Sequence, residues 1–188
     1  MKQRFLASGL RVGLRATQAS DVAELAALAR ASRALHHPWV SPPKGRAGVQ
    51  TWLAKRDADR QRSYLVCLRE GGQIAGVVNL NEIVRAAFRS AYLGYYAHGA
   101  HAGRGYMREG LALVITHAFC RLHLHRLEAN VQPGNAASLA LVAGLGFRRE
   151  GYSPRYLEVD GVWRDHERWA VLAEDWPPGA GKARRERG

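Results

Sequence analysis

Residues 101–120, HAGRGYMREGLALVITHAFC, set Gly103 and Gly105 one residue apart, directly before an apolar pattern. In that pattern Leu111, Val114, Ile115, Ala118 and Phe119 recur at helical spacing. The preceding SAYLGYYA reads as a strand. A strand, a glycine turn and a helix start together aim free backbone amides and the positive end of a helix dipole at one point, which suits an anion. Glycine lets the chain turn tightly and lets a ligand approach without meeting a Cβ. Two familiar phosphate loops are excluded. The dinucleotide fingerprint needs a glycine where Arg108 stands, and no Gly-Lys-Ser/Thr of a mononucleotide loop is present. A lone Gly-x-Gly also serves as a plain tight connection, so the remaining chain decides.

The elements that would position this loop follow from pattern. RVGLRAT alternates as a first strand. Ser20 suits a helix cap, with Asp21 and Glu24 in the first turn and Val22, Leu25 and Ala29 on one face. HHPWVSPPKG reads as a loop, and a second helix is expected from Val49 to Gln61 with Trp52 and Leu53 inward. SYLVCLREGGQIAGVVNL gives two strands about Gly71-Gly72, followed by the strand to Ala97, the glycine turn and a helix to about Leu122. HRLEANV is a strand, and NAASLALVAGLGF a short helix opened by Asn135 and closed at Gly144 to Gly146. RYLEVDGVWRDHERWAVL is a hairpin turning at Asp160-Gly161. The order predicts an α+β domain with a mostly antiparallel sheet flanked by helices.

Composition narrows the class. A chain of 188 residues with 47% hydrophobic residues makes one domain with a sizeable core. No apolar run approaches a membrane span, and MKQRFLASGLR is too short and polar for a signal peptide. Cys67 and Cys120 sit among apolar neighbours, which predicts two buried thiols and fits a cytoplasmic setting. The histidines of HGAH and HLH lack cysteine or carboxylate partners at ligand spacing, so no metal ligand is assigned. The formal charge of +12 draws the domain toward polyanions such as RNA or a polyphosphate ligand and away from cationic small molecules. From residue 177 on, glycine, proline and charge predict a disordered basic tail.

The sequence also resembles a family. The antiparallel strands, the glycine turn before a long helix and NAASLALVAGLGF are similar to the GCN5-related N-acetyltransferases (GNAT). GVVNLNEIVRAAFRSAYLGYYAHGAHAGRGYM, VQPGN and YLEVDGVWRDH resemble the ribosomal-protein-alanine N-acetyltransferases of the RimJ type. The likeness runs from the first strand to Trp176, which implies an acetyltransferase domain over residues 1–176 and leaves out only the tail at 177–188.

The resemblance implies that the anion is the pyrophosphate of acetyl-CoA, cradled by amides of Gly103, Arg104, Gly105, Tyr106 and Met107. Ala102 stands where the family carries Gln or Arg, which removes one side-chain contact. It further implies that Tyr95, Tyr96 and Ala97 bond the pantetheine arm and the thioester, with an amide near Tyr96 as oxyanion donor. Asn135 and Ser138 match the family's Asn-x-x-Ser. Asn135 is equally a helix cap, and Ser138 would protonate the departing thiolate. Some relatives carry a Glu base where Asn130 stands here; the candidates are Glu128, Glu158, Glu82, His166 and, preferred, Asp165. The expected function is acetylation of the N-terminal α-amine of a protein, a ribosomal protein for choice, by direct transfer in a ternary complex. A small-molecule amine acetyltransferase and a ribosome- or RNA-associated assembly factor are the alternatives. Oligomeric state is not legible.

Overall fold

The computed structural model describes residues 5–55, 57 and 59–177. Eight strands form one sheet: β1 (Ala7–Ser8), β2 (Val12–Ala16), β3 (Arg62–Leu68), β4 (Ile74–Val84), β5 (Ser90–Ala97), β6 (Arg126–Val131), β7 (Arg148–Val159) and β8 (Val162–Leu172). Their spatial order is β1-β2-β3-β4-β5-β6-β8-β7. Every neighbouring pair is antiparallel except β5 and β6, which are parallel. The helices are α1 (Val22–Ala31), α2 (Arg33–His36), α3 (Gly45–Ala54), α4 (Tyr106–Cys120) and α5 (Ala136–Gly144). This is the expected α+β architecture.

The period-two alternation of the strands splits the core into two layers. Val66, Val78 and Leu80 face one side with Leu111, Val114 and Ile115 of α4. Leu65, Cys67, Val77 and Tyr96 face the other side, against Leu25 and Leu28 of α1 and Val49 of α3. Each large apolar side chain withdrawn from water on either face contributes about 1.5–3 kcal/mol. Helix α4 sits so close that a Cβ at Gly110 would lie 2.5 Å from Val66 Cγ2. Its N-terminal end is tied to β2 by Glu109, whose Oε1 accepts from the Arg11 amide at 2.7 Å.

Several expectations are corrected in detail. Ser20 does not cap: the chain enters α1 through a 3-10 turn at Ala19–Asp21, and the Asp21 carboxylate accepts from the Gln18 amide at 2.7 Å. Asp21 also pairs with Arg15 at 2.8 Å, which gives that carboxylate more partners than a serine hydroxyl could offer. Helix α3 begins at Gly45 and ends at Ala54, earlier than Val49 to Gln61 at both ends, while Trp52 and Leu53 do pack inward. Cys67 is buried as expected but Cys120 is exposed, because it shares the outward face of α4 with the exposed Thr116 one turn earlier, while Ala118 and Phe119 face the core. Among the described residues no helix is long and apolar enough to cross a membrane. The tail predicted at 177–188 lies outside the described residues, apart from Pro177.

Candidate active site

The site grows from one mismatch in the sheet. Strands β5 and β6 pair only from Ser90↔Arg126 to Tyr92↔Glu128 and then diverge. Beyond that point a cavity of about 480 Å³ opens between Leu93–Ala97 and Asn130–Gln132, roofed by the loop at 101–105 and the heads of α4 and α5. The ladder fixes which backbone groups face the gap. His98 N donates to Ala75 O at 2.8 Å, and these residues stand opposite one another. In an antiparallel pair bonded and non-bonded positions alternate, so Tyr96 bonds β4 while the backbones of Tyr95 and Ala97 turn toward the gap.

The structure brings most of the expected residues to this cavity. Tyr95, Tyr96 and Ala97 line it from β5, Gly103 and Gly105 from the loop, Tyr106 and Met107 from α4, and Asn135 and Ser138 from α5. Gly103 and Gly105 adopt φ +73 and +79, left-handed values that a side chain strains to reach. Gly105 is the N-cap of α4 and offers no side-chain cap, so the first-turn amides of Tyr106, Met107 and Arg108 have no partner within the helix. Cations ring this end. Arg11 donates to Arg104 O at 3.0 Å and lies 5.0 Å over the Tyr106 ring, and Arg108 donates to Gly144 O at 3.1 Å. Free amides, a helix dipole and guanidinium groups fit a ligand with several phosphates at one end. A Cβ at Gly103 would meet nothing within 4 Å, so the loop leaves open space beside it. Arg104 supplies its carbonyl to Arg11 and does not line the cavity.

At the opposite end the Tyr95 hydroxyl and Ser138 Oγ stand 2.5 Å apart. Burial pushes the Tyr95 phenol up to about 12, against a smaller lowering by Ser138, so the pair stays protonated. Asn135 Oδ1 accepts from the Ser138 amide at 3.2 Å, which makes it the helix cap and fixes the serine in the first turn.

Asp165 is not brought to the cavity. On β8 it lies beyond Glu167, which pairs with Val131 at the end of the β6 ladder, and its partners are on β7. The Tyr152 hydroxyl and, at 2.7 Å, the Arg155 amide donate to its carboxylate and hold it below its ordinary value, which weakens it as a base. The other candidates are also engaged: Glu128 with Arg126, Glu82 with Arg60, and His166 Nδ1 with Arg164 O. Glu158 is exposed. Among the described residues no carboxylate lines the cavity, and none forms a group of three or more that could hold a metal.

Residues that the sequence reading missed complete the walls. His36, on a stretch bordering an unremarkable proline-rich loop, is buried and bonds Ala97 O through Nε2 at 2.8 Å. The carbonyl can only accept, so Nε2 carries the proton; burial holds the ring below its ordinary value. Trp39 joins it, its carbonyl taken by Gln132 Nε2 at 3.2 Å. Two histidines and a tryptophan inside a proline-rich loop were the available signal. Asn79 stands opposite Gly94, and Asn130 continues that row on β6; the Oδ1 atoms of both are buried without a partner.

Comparison with known proteins gives the same direction. The family described as Acetyltransferase (GNAT) domain matches residues 11–148. The chain is 33% identical over 130 residues to a probable N-acetyltransferase, YjcK, of Bacillus subtilis, covering 69% of this chain and 72% of that protein. It is 43% identical over 107 residues to the [ribosomal protein uS5]-alanine N-acetyltransferase of Escherichia coli. That match covers 57% of this chain and only 55% of the relative's length. Mycobacterium smegmatis RimJ, solved in complex with CoA-disulfide, superposes with a TM-score of 0.82 at 31% identity, covering 94% of this chain and 89% of that one.

Proposed function

Because the chain belongs to the GNAT family of N-acetyltransferases, we propose that it transfers the acetyl group of acetyl-CoA to the N-terminal α-amine of a protein, and that the acceptor is a ribosomal protein. One observation carries the reading. One cavity runs from the amides and arginines at the head of α4 to the Tyr95–Ser138 hydroxyl pair, and among the described residues no carboxylate lines it. A cavity with Arg108 and without acidic groups attracts phosphates and repels polyamines. The alanine N-acetyltransferase and RimJ likenesses support a protein acceptor.

Acetyl-CoA supplies a thioester carbon open to attack by a neutral amine. The amides from Gly103 to Met107 and the dipole of α4 hold its phosphates. The amides of Tyr95 and Ala97, turned to the gap, donate to the carbonyl oxygen as charge gathers there. His36 holds the Ala97 carbonyl and so anchors the end of β5 beside that donor. Ser138 gives its proton to the departing sulfur, and the adjacent Tyr95 hydroxyl replaces it and regains a proton from water. An α-amine has an ordinary pKa of about 7.7–8.0, so a sizeable neutral fraction exists without a base in the cavity, and the amine's proton leaves to water. Transfer is direct. Cys67 is buried with its thiol pushed up to about 11, chiefly by burial, and Cys120 is on the surface away from the cavity.

The test is mass spectrometry of intact ribosomal proteins from a strain lacking this chain. One N-terminus should become lighter by an acetyl group. Unchanged masses, together with rapid acetylation of a polyamine by the purified protein, would overturn the reading in favour of a small-molecule acceptor.

A further inference from the structure

A second cavity, of about 360 Å³, adjoins the first and is walled by α1, α2, the segment leading to α3 and the tip of the β7–β8 hairpin. His36 and Val40 line both cavities. Ala26, Ala29 and Pro42 give the second an apolar floor, and Arg30, Arg33 and Lys44 stand at its rim. Its one carboxylate is already occupied: Asp160 Oδ1 accepts from Ser41 Oγ at 2.7 Å and from Lys44 Nζ at 3.0 Å. Arg30 and Arg33 form no ion pair among the described residues. The rim therefore keeps two uncompensated positive charges beside a concave, partly apolar space.

We infer that this cavity is a subsite for an acidic side chain on the acceptor polypeptide, a few residues after the amine that is acetylated. The inference rests on the α-amine reading above and adds the sequence class of the acceptor. An extended chain advances about 3.3 Å per residue, so the second to fourth residues travel about 10 Å beyond the amine. The two cavities share His36 and Val40, so a chain of that reach leaving the first past these residues enters the basic space. A carboxylate there meets Arg30 and Arg33, while the stem of Asp or Glu covers the alanine floor. A nucleic acid is the less fitting occupant, because the space is a small hollow with an apolar floor and not a groove that follows a phosphate backbone.

The test uses peptides with one N-terminal residue and either Glu, Gln or Lys at positions two to four. Two exposed charge contacts should raise kcat/KM for the Glu peptides about five- to tenfold over the Gln series, and the advantage should shrink with salt. In R30Q/R33Q the Glu-to-Gln ratio should fall to about one, and in R30E/R33E the preference should swing to the Lys peptides, an inversion that a misfolded variant could not produce. Equal rates for Glu and Gln peptides, or a ratio unmoved in R30Q/R33Q, overturn the subsite while leaving α-amine acetylation intact. If no peptide is acetylated, the α-amine reading fails and binding decides the subsite. A fluorescent Glu peptide should then bind wild type at least about fivefold tighter than R30Q/R33Q, and equal binding overturns it. Displacement of that peptide by a single-stranded oligonucleotide more readily than by unlabelled Glu peptide also overturns it.

Discussion

At the scale of residues the proposed transfer centres on the Tyr95–Ser138 pair. A thiol's ordinary pKa is about 8.5, so the thiolate leaves tolerably without help and an acid improves the step without being indispensable. Ser138→Ala should lower kcat by about 10²-fold, the usual contribution of a positioned acid, with acetyl-CoA affinity little changed. Steady-state release of free thiol alongside calorimetric titration separates the two: lost affinity with kcat kept would make Ser138 a binding contact. Tyr95→Phe should cost less, and the double variant little more than Ser138→Ala alone, because the hydroxyls act as one relay. Asp165 makes the opposite case. It lies outside the cavity with its carboxylate held by Tyr152 and Arg155. Asp165→Asn should leave kcat within about threefold of wild type, well short of the 10²–10⁴ that a general base contributes. A larger loss, concentrated in kcat and rescued by raising the pH, would restore Asp165 as the base.

Among the elements, the loop before α4 is the most sensitive. Gly105 holds a left-handed φ of +79, and a Cβ there would lie 3.1 Å from Arg11 Nη2. A left-handed conformation costs a side-chain-bearing residue about 1–2 kcal/mol, more when the side chain branches at Cβ. Gly105→Val therefore shifts the loop and disturbs Arg11, which bonds the loop carbonyl at Arg104 and pairs with Glu109. Acetyl-CoA affinity should fall by at least about tenfold, on the arithmetic of 1.4 kcal/mol per decade, while the circular dichroism of the fold is kept. Unchanged affinity by calorimetry would mean that the phosphates sit elsewhere. This loop was the most legible part of the sequence, because glycine spacing before a periodic apolar run is a local signal. The α3 boundaries and the start of α1 were less so: Asp21, held by Arg15 from a different element, fixes the 3-10 turn that leads into α1 by accepting from the Gln18 amide.

The whole molecule carries its charge unevenly in pH. His36, His101, His117 and His166 are each held below the ordinary value of 6.5, with burial the largest cause in every case. The unfolded chain then binds more protons than the folded one in acid, so stability is complete above about pH 7 and is lost as the pH falls through that range. The thermal midpoint should drop by a few degrees between about pH 7.5 and 5.5, and a midpoint flat over that window would show that these rings protonate freely in the fold. The same contrast between local and distant causes separates what each level decided. Sequence alone determined the α+β class, the glycine turn that opens α4, the helix cap at Asn135 and the hairpin turn at Asp160-Gly161, because each depends on neighbours a few residues away. Tertiary structure decided the rest. Only the parting of β5 from β6 after Tyr92 opens the cavity, and only the pairing of β8 with β7 leaves Asp165 held by Tyr152 and Arg155, outside it. Only folding brings His36 to the Ala97 carbonyl, 61 positions away in the chain. A residue's chemistry is written in its side chain, but its direction is set by the sheet that carries it, and a register of period two turns a neighbour in sequence to the opposite side of the molecule.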